Sequence, residues 1–325
     1  MIHARVYKGS NKLSKISSVI CLPNSEPKGI VYFAHGVTEY AERHAALYEY
    51  LAADGYIVIA NDHMGHGRST SKARTYFTGQ GDKTGWECAA EDAFRLIQIT
   101  KEEYPDLPVH GIGFSLGSYL IRFMAIKYHY LFRSVTLIGT GYQGKFTTFI
   151  GKLIAKNQCD KFGEKNPSDL VDDMTFNKYN DIFYDDDEYY DDEDAEADYG
   201  EDDETTYRAL WLLADRKARI EYLEDKRITD GFTTGLFFEL LCAMGYTCDE
   251  KKIEKLNPRC QILLLSGTDD ASGDFTKGVN ELEKIYRKCG LRVRKIFYKE
   301  ARHDILHDFC KEKVFKDIAN FLNKN

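Results

Sequence analysis

Apolar positions along the chain fall into short runs separated by longer stretches of helical spacing. Ile30 to Ala34 form a β-branched and aromatic run after the turn-forming Pro27-Lys28-Gly29. Helical spacing follows over Ala41 to Ala53 and ends at Gly55, and Tyr56 to Ala60 is a second run of strand length. Trp86 to Tyr104 places Ala90, Ala93, Phe94 and Ile97 at helical intervals and stops before Pro105. Val109 to Phe114 reads as a third strand and passes directly into a helix from Leu116 to about Tyr128, with Ser134 to Ile138 a fourth strand. Strands of this length separated by helices predict βαβ units and an α/β fold with a mostly parallel central sheet.

The alternation breaks near Gly139 and resumes at Gln261. Between these points Phe146 to Lys156, Tyr207 to Glu224 and Thr233 to Met244 read as helices. Gln261 to Leu265 is then a strongly apolar strand, Phe275 to Cys289 a helix, Val293 to Tyr298 the last strand and Phe309 to Leu322 a terminal helix. The expected organisation is one core domain built from 1–141 and 246–325, interrupted by a helical cap insertion at 142–245.

With 325 residues, 43% of them apolar, the chain can bury a sizeable core. The net charge of −8 is unevenly placed: 14 of the 20 residues from Asp185 to Glu204 are acidic, and the remainder of the chain carries +6. The acidity therefore belongs to one segment of the insertion, which self-repulsion is expected to keep solvated, and a nucleic-acid partner is not expected. Asp194, Glu196 and Asp198 alternate as in a calcium loop, but Tyr199 stands where that loop needs glycine and Thr205 where it needs glutamate. Eight cysteines without a CxxC pair read as reduced thiols in a cytoplasmic chain. There is no apolar stretch of membrane-spanning length and no apolar segment behind the basic residues of the first dozen positions, so neither a transmembrane helix nor a secretory signal is expected. His63 and His66, set among Gly65 and Gly67, offer too few ligands for a metal and read as a hydrogen-bonded loop. No metal and no cofactor are expected.

The chemistry centres on Gly113-Phe114-Ser115-Leu116-Gly117, a G-x-S-x-G pattern placed between a strand and a helix. That context is what a nucleophile elbow requires: the serine sits in a strained turn, and side chains two residues to either side would collide with it. A serine hydroxyl needs a base, and the base an orienting acid, in the chain order Ser, Asp or Glu, His. Of the histidines after Ser115, His129 lies at the far end of the elbow helix, whereas His303 follows the last strand after a short loop, with His307 the runner-up. The acid is expected after Gln261–Leu265, where Asp269 and Asp270 both qualify and Asp274 is more distant. An oxyanion hole needs two backbone N–H donors. Leu116 supplies one, and the loop Ala34-His35-Gly36-Val37-Thr38-Glu39 places Val37 as the candidate for the other.

On these residues the chain resembles the monoacylglycerol lipase and lysophospholipase-like branch of the serine α/β-hydrolases. FAHGVTEYAERH (33–44) is similar to the family's oxyanion loop, NDHMGHGRS (61–69) to its D-x-x-G-H-G-x-S block, and GIGFSLGS (111–118) to its elbow. SGTDDASGDF and FYKEARHDIL (266–275 and 297–306) are similar to its acid and histidine loops. The resemblance selects Asp270 over Asp269 and His303 over His307. The chain departs from the family in exchanging histidine and tyrosine at Tyr40 and His44, and in the acidic run.

The resemblance implies an α/β-hydrolase fold and an ester hydrolase working through an acyl-enzyme, with Ser115, His303 and Asp270 catalytic and Val37 and Leu116 binding the oxyanion. The expected substrate is a small acyl ester or monoacyl lipid, with a lysophospholipase, a broad carboxylesterase or a non-catalytic binding protein as alternatives. Cap residues such as Phe146, Phe149, Ile150, Trp211 and Phe237 would line an acyl pocket or pack the cap helices together, and the cap would offer transient contact with a membrane surface.

Overall fold

The computed structural model describes residues 2–69, 76–183, 209–229 and 231–325. Eight strands form one sheet: β1 (Ile2–Lys8), β2 (Lys15–Cys21), β3 (Gly29–Ala34), β4 (Tyr56–Asn61), β5 (Val109–Phe114), β6 (Ser134–Ile138), β7 (Gln261–Gly267) and β8 (Arg292–Tyr298). Their order is β1-β2-β4-β3-β5-β6-β7-β8. From β4 to β8 every pairing is parallel, while β1 and β2 join antiparallel at one edge.

The sheet is covered on both faces because its central strands are apolar on both faces, as a buried parallel sheet requires. Alternate residues divide between two cores. Ile30, Tyr32 and Ala34 face the helices α2 (Gly85–Glu103) and α3 (Leu116–Lys127), whereas Val31 and Phe33 face α1 (Ala45–Ala53) and α8 (Lys311–Leu322). Between β6 and β7 the chain builds α4 (Lys145–Phe162), three short helical segments (Asp169–Asp172, Asp173–Asn177 and Lys178–Asp181), α5 (Arg216–Glu224) and α6 (Thr234–Thr247). Helix α7 (Lys277–Lys288) links β7 to β8. The acidic run at 185–204 lies outside the described residues.

Two features differ from the sequence reading. The edge hairpin β1–β2 was not expected. β1 reads Ile-His-Ala-Arg-Val-Tyr-Lys and is largely exposed, so it carries little apolar periodicity. Of the helix expected over Tyr207 to Glu224, residues 207–208 lie outside the described residues, and from 209 onward only Arg216–Glu224 is helical, where the Asp215 side chain caps it by accepting the Ala218 amide. Residues 209–215 instead run as turns, because their backbone groups are taken by the loop after β8, as described below; tertiary hydrogen bonds override a weak helical pattern.

Candidate active site

The carboxyl ends of the parallel strands lie side by side. Ala34 pairs in register with Gly113, Phe114 with Ile138, Ile138 with Leu265, and Leu265 with Ile296. The loops that follow β3, β5, β7 and β8 therefore open on one edge of the sheet, the place where open α/β sheets collect their functional groups.

Ser115 sits between β5 and α3 with φ 51° and ψ −119°. A non-glycine residue in this region is strained by order ~1–3 kcal/mol. Its amide donates to the Ile138 carbonyl at 2.9 Å, and its carbonyl accepts the Ser118 amide and hydroxyl at 2.9 and 2.6 Å, which holds the turn. The two flanking glycines are required by close approach. A Cβ on Gly113 would lie 2.4 Å from the Gly117 carbonyl oxygen, and one on Gly117 would lie 2.0 Å from that of Ala34. The second contact shows that the elbow is pressed against the start of the β3 loop.

Asp270 and His303 meet on neighbouring loops, with His303 Nδ1 2.9 Å from Asp270 Oδ1, and both are buried. Asp270 also accepts the Ser272 amide at 3.0 Å, the Ser272 hydroxyl at 2.7 Å and the Gly273 amide at 3.3 Å, all through Oδ1. The Ser272 hydroxyl lies a further 2.8 Å from His303 Nδ1. Burial alone would favour the neutral form of each partner, but the pair outweighs it. The Asp270 carboxyl is held below its usual range by His303, and the His303 imidazole is held above 6.5 by Asp270. His303 Nε2 is buried and has no hydrogen-bond partner among the described residues, so it makes no bond to Ser115 Oγ in this conformation.

The competing candidates have other partners. Asp269 accepts the Thr268 hydroxyl at 2.8 Å, and Asp274 pairs with Lys277 at 3.4 Å. His129 meets the Lys255 carbonyl at 2.8 Å, and His307 Nδ1 lies 2.9 Å from Asp304 Oδ2. The His63/His66 loop is a buried cluster with His35: the His63 amide donates to His35 Nε2 at 2.9 Å, and His63 Nε2 lies 3.0 Å from the His35 carbonyl. Burial pushes His63 down to about 3 and His66 to about 4.

The loop after β3 is fixed by a charge network. Glu39 Oε1 accepts the Gly36 amide at 2.5 Å and meets His44 Nε2 at 3.1 Å. Arg43 lies 2.8 Å from both Glu39 Oε2 and Asp304 Oδ2, which ties this loop to the residue next to His303. Thr38 adopts φ 67° and its carbonyl accepts the Thr229 amide at 2.9 Å. Tyr40, one of the two exchanged positions, turns toward the insertion: its hydroxyl donates to Asp225 and Arg227 lies over its ring at 4.0 Å. His44, the other, stays inside on Glu39. Ser272 and Asp304 were not singled out from sequence; the only local signal was the serine and glycine after Asp270, a capping pattern. Of the expected acyl-pocket residues, Trp211 and Phe237 are buried, whereas Phe146, Phe149 and Ile150 lie exposed on α4.

A strand–elbow–helix carrying a strained serine, with a His–Asp pair on the loops of the following strands, defines the chain as an α/β-hydrolase-fold protein. Residues 25–309 match the family described as serine aminopeptidase, S33, and the chain belongs to that family. A monoacylglycerol lipase of Mycolicibacterium smegmatis is 31% identical over a stretch covering 36% of this chain and 39% of that one. The chain thus matches under half the length of such curated relatives. Among solved structures, a thermostable carboxyl esterase from Bacillus coagulans superposes with a TM-score of 0.82 at 20% identity, covering 99% of this chain and 98% of that one. A soluble variant of the Saccharomyces cerevisiae monoglyceride lipase, in complex with a substrate analogue, superposes with a TM-score of 0.71 at 16% identity, covering 98% and 94%. These two likenesses establish the fold.

Proposed function

We propose that the protein is a serine hydrolase that cleaves carboxylic esters through an acyl-enzyme, with a monoacyl lipid as substrate. The observation that carries this reading is the strained Ser115 at the end of β5 beside the buried His303–Asp270 pair. In the reactive arrangement Ser115 Oγ donates to His303 Nε2, a bond that apo sites often leave open. Ser115 Oγ then attacks the ester carbonyl while His303 takes its proton, and Asp270, holding Nδ1–H, stabilises the imidazolium. The proton passes to the leaving alcohol. Water, deprotonated by His303, then releases the acid from the acyl-serine. The oxyanion is held by two amides: Leu116, at the helix start where no intrahelical carbonyl is in reach, and Val37, since Glu39 commits the neighbouring Gly36 amide.

The segment at 142–245 acts as a cap over this edge. On α4, Phe146, Phe149, Ile150 and Leu153 recur at helical intervals and are 78%, 58%, 39% and 53% exposed, with Lys145, Lys152 and Lys156 on the same helix. Such a stripe suits transient seating on a lipid surface, from which a monoacyl ester would be drawn. The cytoplasm is the proposed location, and no helix among the described residues is long and apolar enough to cross a membrane.

The test is turnover of a graded series of p-nitrophenyl esters and monoacylglycerols by wild type, Ser115→Ala and His303→Ala. Turnover by wild type that is lost in both variants is expected, and the chain-length optimum sizes the pocket. Absence of turnover on every ester by wild type would overturn the reading.

A further inference from the structure

Residues 209–215 of the insertion are fastened to the loop that carries His303. Arg302 Nη1 donates to the carbonyls of Leu210 and Leu213 at 2.7 and 3.3 Å. The Asp304 amide donates to the Leu212 carbonyl at 2.7 Å, and the Asp308 carboxylate accepts the amides of Ala214 and Asp215 at 3.0 and 2.9 Å. These bonds bracket Trp211, whose own amide donates to Asn180 Oδ1 at 3.0 Å. Its indole lies 4.8 Å from the His303 ring, tilted by 31°, and is only 7% exposed. Phe176 and Tyr179 pack on the indole at 5.5 and 5.7 Å, and Phe114 adds a second aromatic ring 5.1 Å from the imidazole. The indole is thus held against His303 from both its own segment and the neighbouring helical segments.

We propose that Trp211 is a positioning residue for His303, closing the imidazole off from water and stabilising the imidazolium through its π face. The inference rests on His303 being the base of the proposed reaction. A ring quadrupole attracts a cation within about 6 Å, and more strongly when both are desolvated. The same contact does little for a neutral imidazole, so it acts where charge develops. The other charged groups facing His303 are Asp270 at Nδ1, with Asp304 and Glu39 further off and Arg43 bridging those two. His44 sits on Glu39 and His307 on Asp304. Arg302, next in the chain to His303, is held on the Leu210 and Leu213 carbonyls. These bonds use the Trp211 segment's backbone and not the indole, so a titration displaced in Trp211→Leu and less so in Trp211→Phe reports the ring.

The chain has two tryptophans, Trp86 and Trp211. Trp86 is buried and its indole N–H makes no hydrogen bond among the described residues, so Trp86→Phe costs volume and no bond, and leaves Trp211 as the sole tryptophan, excited selectively at wavelengths tyrosine does not absorb. An imidazolium quenches a neighbouring indole more than an imidazole does. In Trp86→Phe the emission is expected to drop as pH falls through the His303 titration, and His303→Gln is expected to abolish that step. Trp211→Leu keeps an apolar cover without a π face. It is expected to move the acid limb of kcat/KM to lower pH by about 0.5–1 unit, and Trp211→Phe by less. Emission that ignores pH, or a step that survives His303→Gln, overturns the role, as does an unmoved acid limb in Trp211→Leu. Flat emission beside an inactive His303→Gln overturns the role alone. Turnover retained in His303→Gln overturns the base assignment and the role with it.

Discussion

Two groups of buried histidines line the same sheet edge and differ in what they touch. His35 and His63 lie ring against ring with centroids 3.9 Å apart, His66 meets both edge-on at 5.4 and 6.0 Å, and all three bond to backbone groups. His303 touches a carboxylate. Burial acts on all of them in one direction, against the charged form. Only where Asp270 sits at 2.9 Å does the balance reverse and leave an imidazole more basic than in water. His44 is the intermediate case: it meets Glu39, yet burial still holds it below 6.5. A buried histidine is a strut by default, and a well-placed carboxylate makes it a base.

The largest test of this contrast is paired replacement. His303→Gln is expected to lower kcat by about 10⁶, whereas His63→Gln leaves kcat within a few fold and costs stability of about 1 kcal/mol for the lost bond to the His35 carbonyl. Comparable losses from both would erase the distinction. Asp270→Asn is expected to cost about 10⁴ in kcat with the substrate KM little changed, because the tautomer is lost while the pocket stays. Replacing Asp304 probes the tie between the two loops. Asp304→Asn removes one carboxylate from the buried Arg43 and is expected to destabilise the fold by about 3 kcal/mol, read from denaturant midpoints. A neutral effect would show that Glu39 alone satisfies the guanidinium.

The pH dependence separates the groups by sign. His63 and His66 titrate near 3 and 4 when folded and near 6.5 when unfolded, so the unfolded chain takes up protons first. Their contribution is intact above 6.5 and is lost progressively as pH falls through about 4 for His66 and about 3 for His63. His303 has the opposite sign: its stabilising share is full below 6.5 and is lost as pH rises through its raised folded value. As the proposed base it must be neutral, so turnover is expected to fall on the acid side of that value. A fall in Tm between about pH 6.5 and 4 that is flattened in a His63→Asn, His66→Asn double variant is expected. The smallest effect belongs to the surface. Phe146→Asp should weaken binding to lipid vesicles severalfold while leaving turnover of a water-soluble ester unchanged.

The strands of the parallel sheet were legible because their apolar runs are short, continuous and bounded by turns. Ser115 and His303 were legible as candidates because an elbow needs glycines at fixed spacing and the proposed triad follows a fixed chain order. Choosing Asp270 over Asp269 was beyond spacing, and family resemblance was needed, because both sit in one turn and only packing decides which carboxylate faces His303. Trp211 was legible as an apolar cap residue but not as a partner of His303. Its placement depends on Arg302, Asp304 and Asp308 capturing the backbone around it, contacts nearly a hundred residues apart in sequence. The edge hairpin escaped because a strand exposed along most of its length leaves no periodic signature.

The most direct measurement is covalent labelling with a fluorophosphonate, followed by mapping of the modified peptide. A single adduct on Ser115, formed faster as pH rises through the His303 titration and absent in Ser115→Ala, is the expected result. Labelling that persists in Ser115→Ala, or a wild-type chain that turns over esters without reacting at Ser115, would contradict the assignment of the nucleophile.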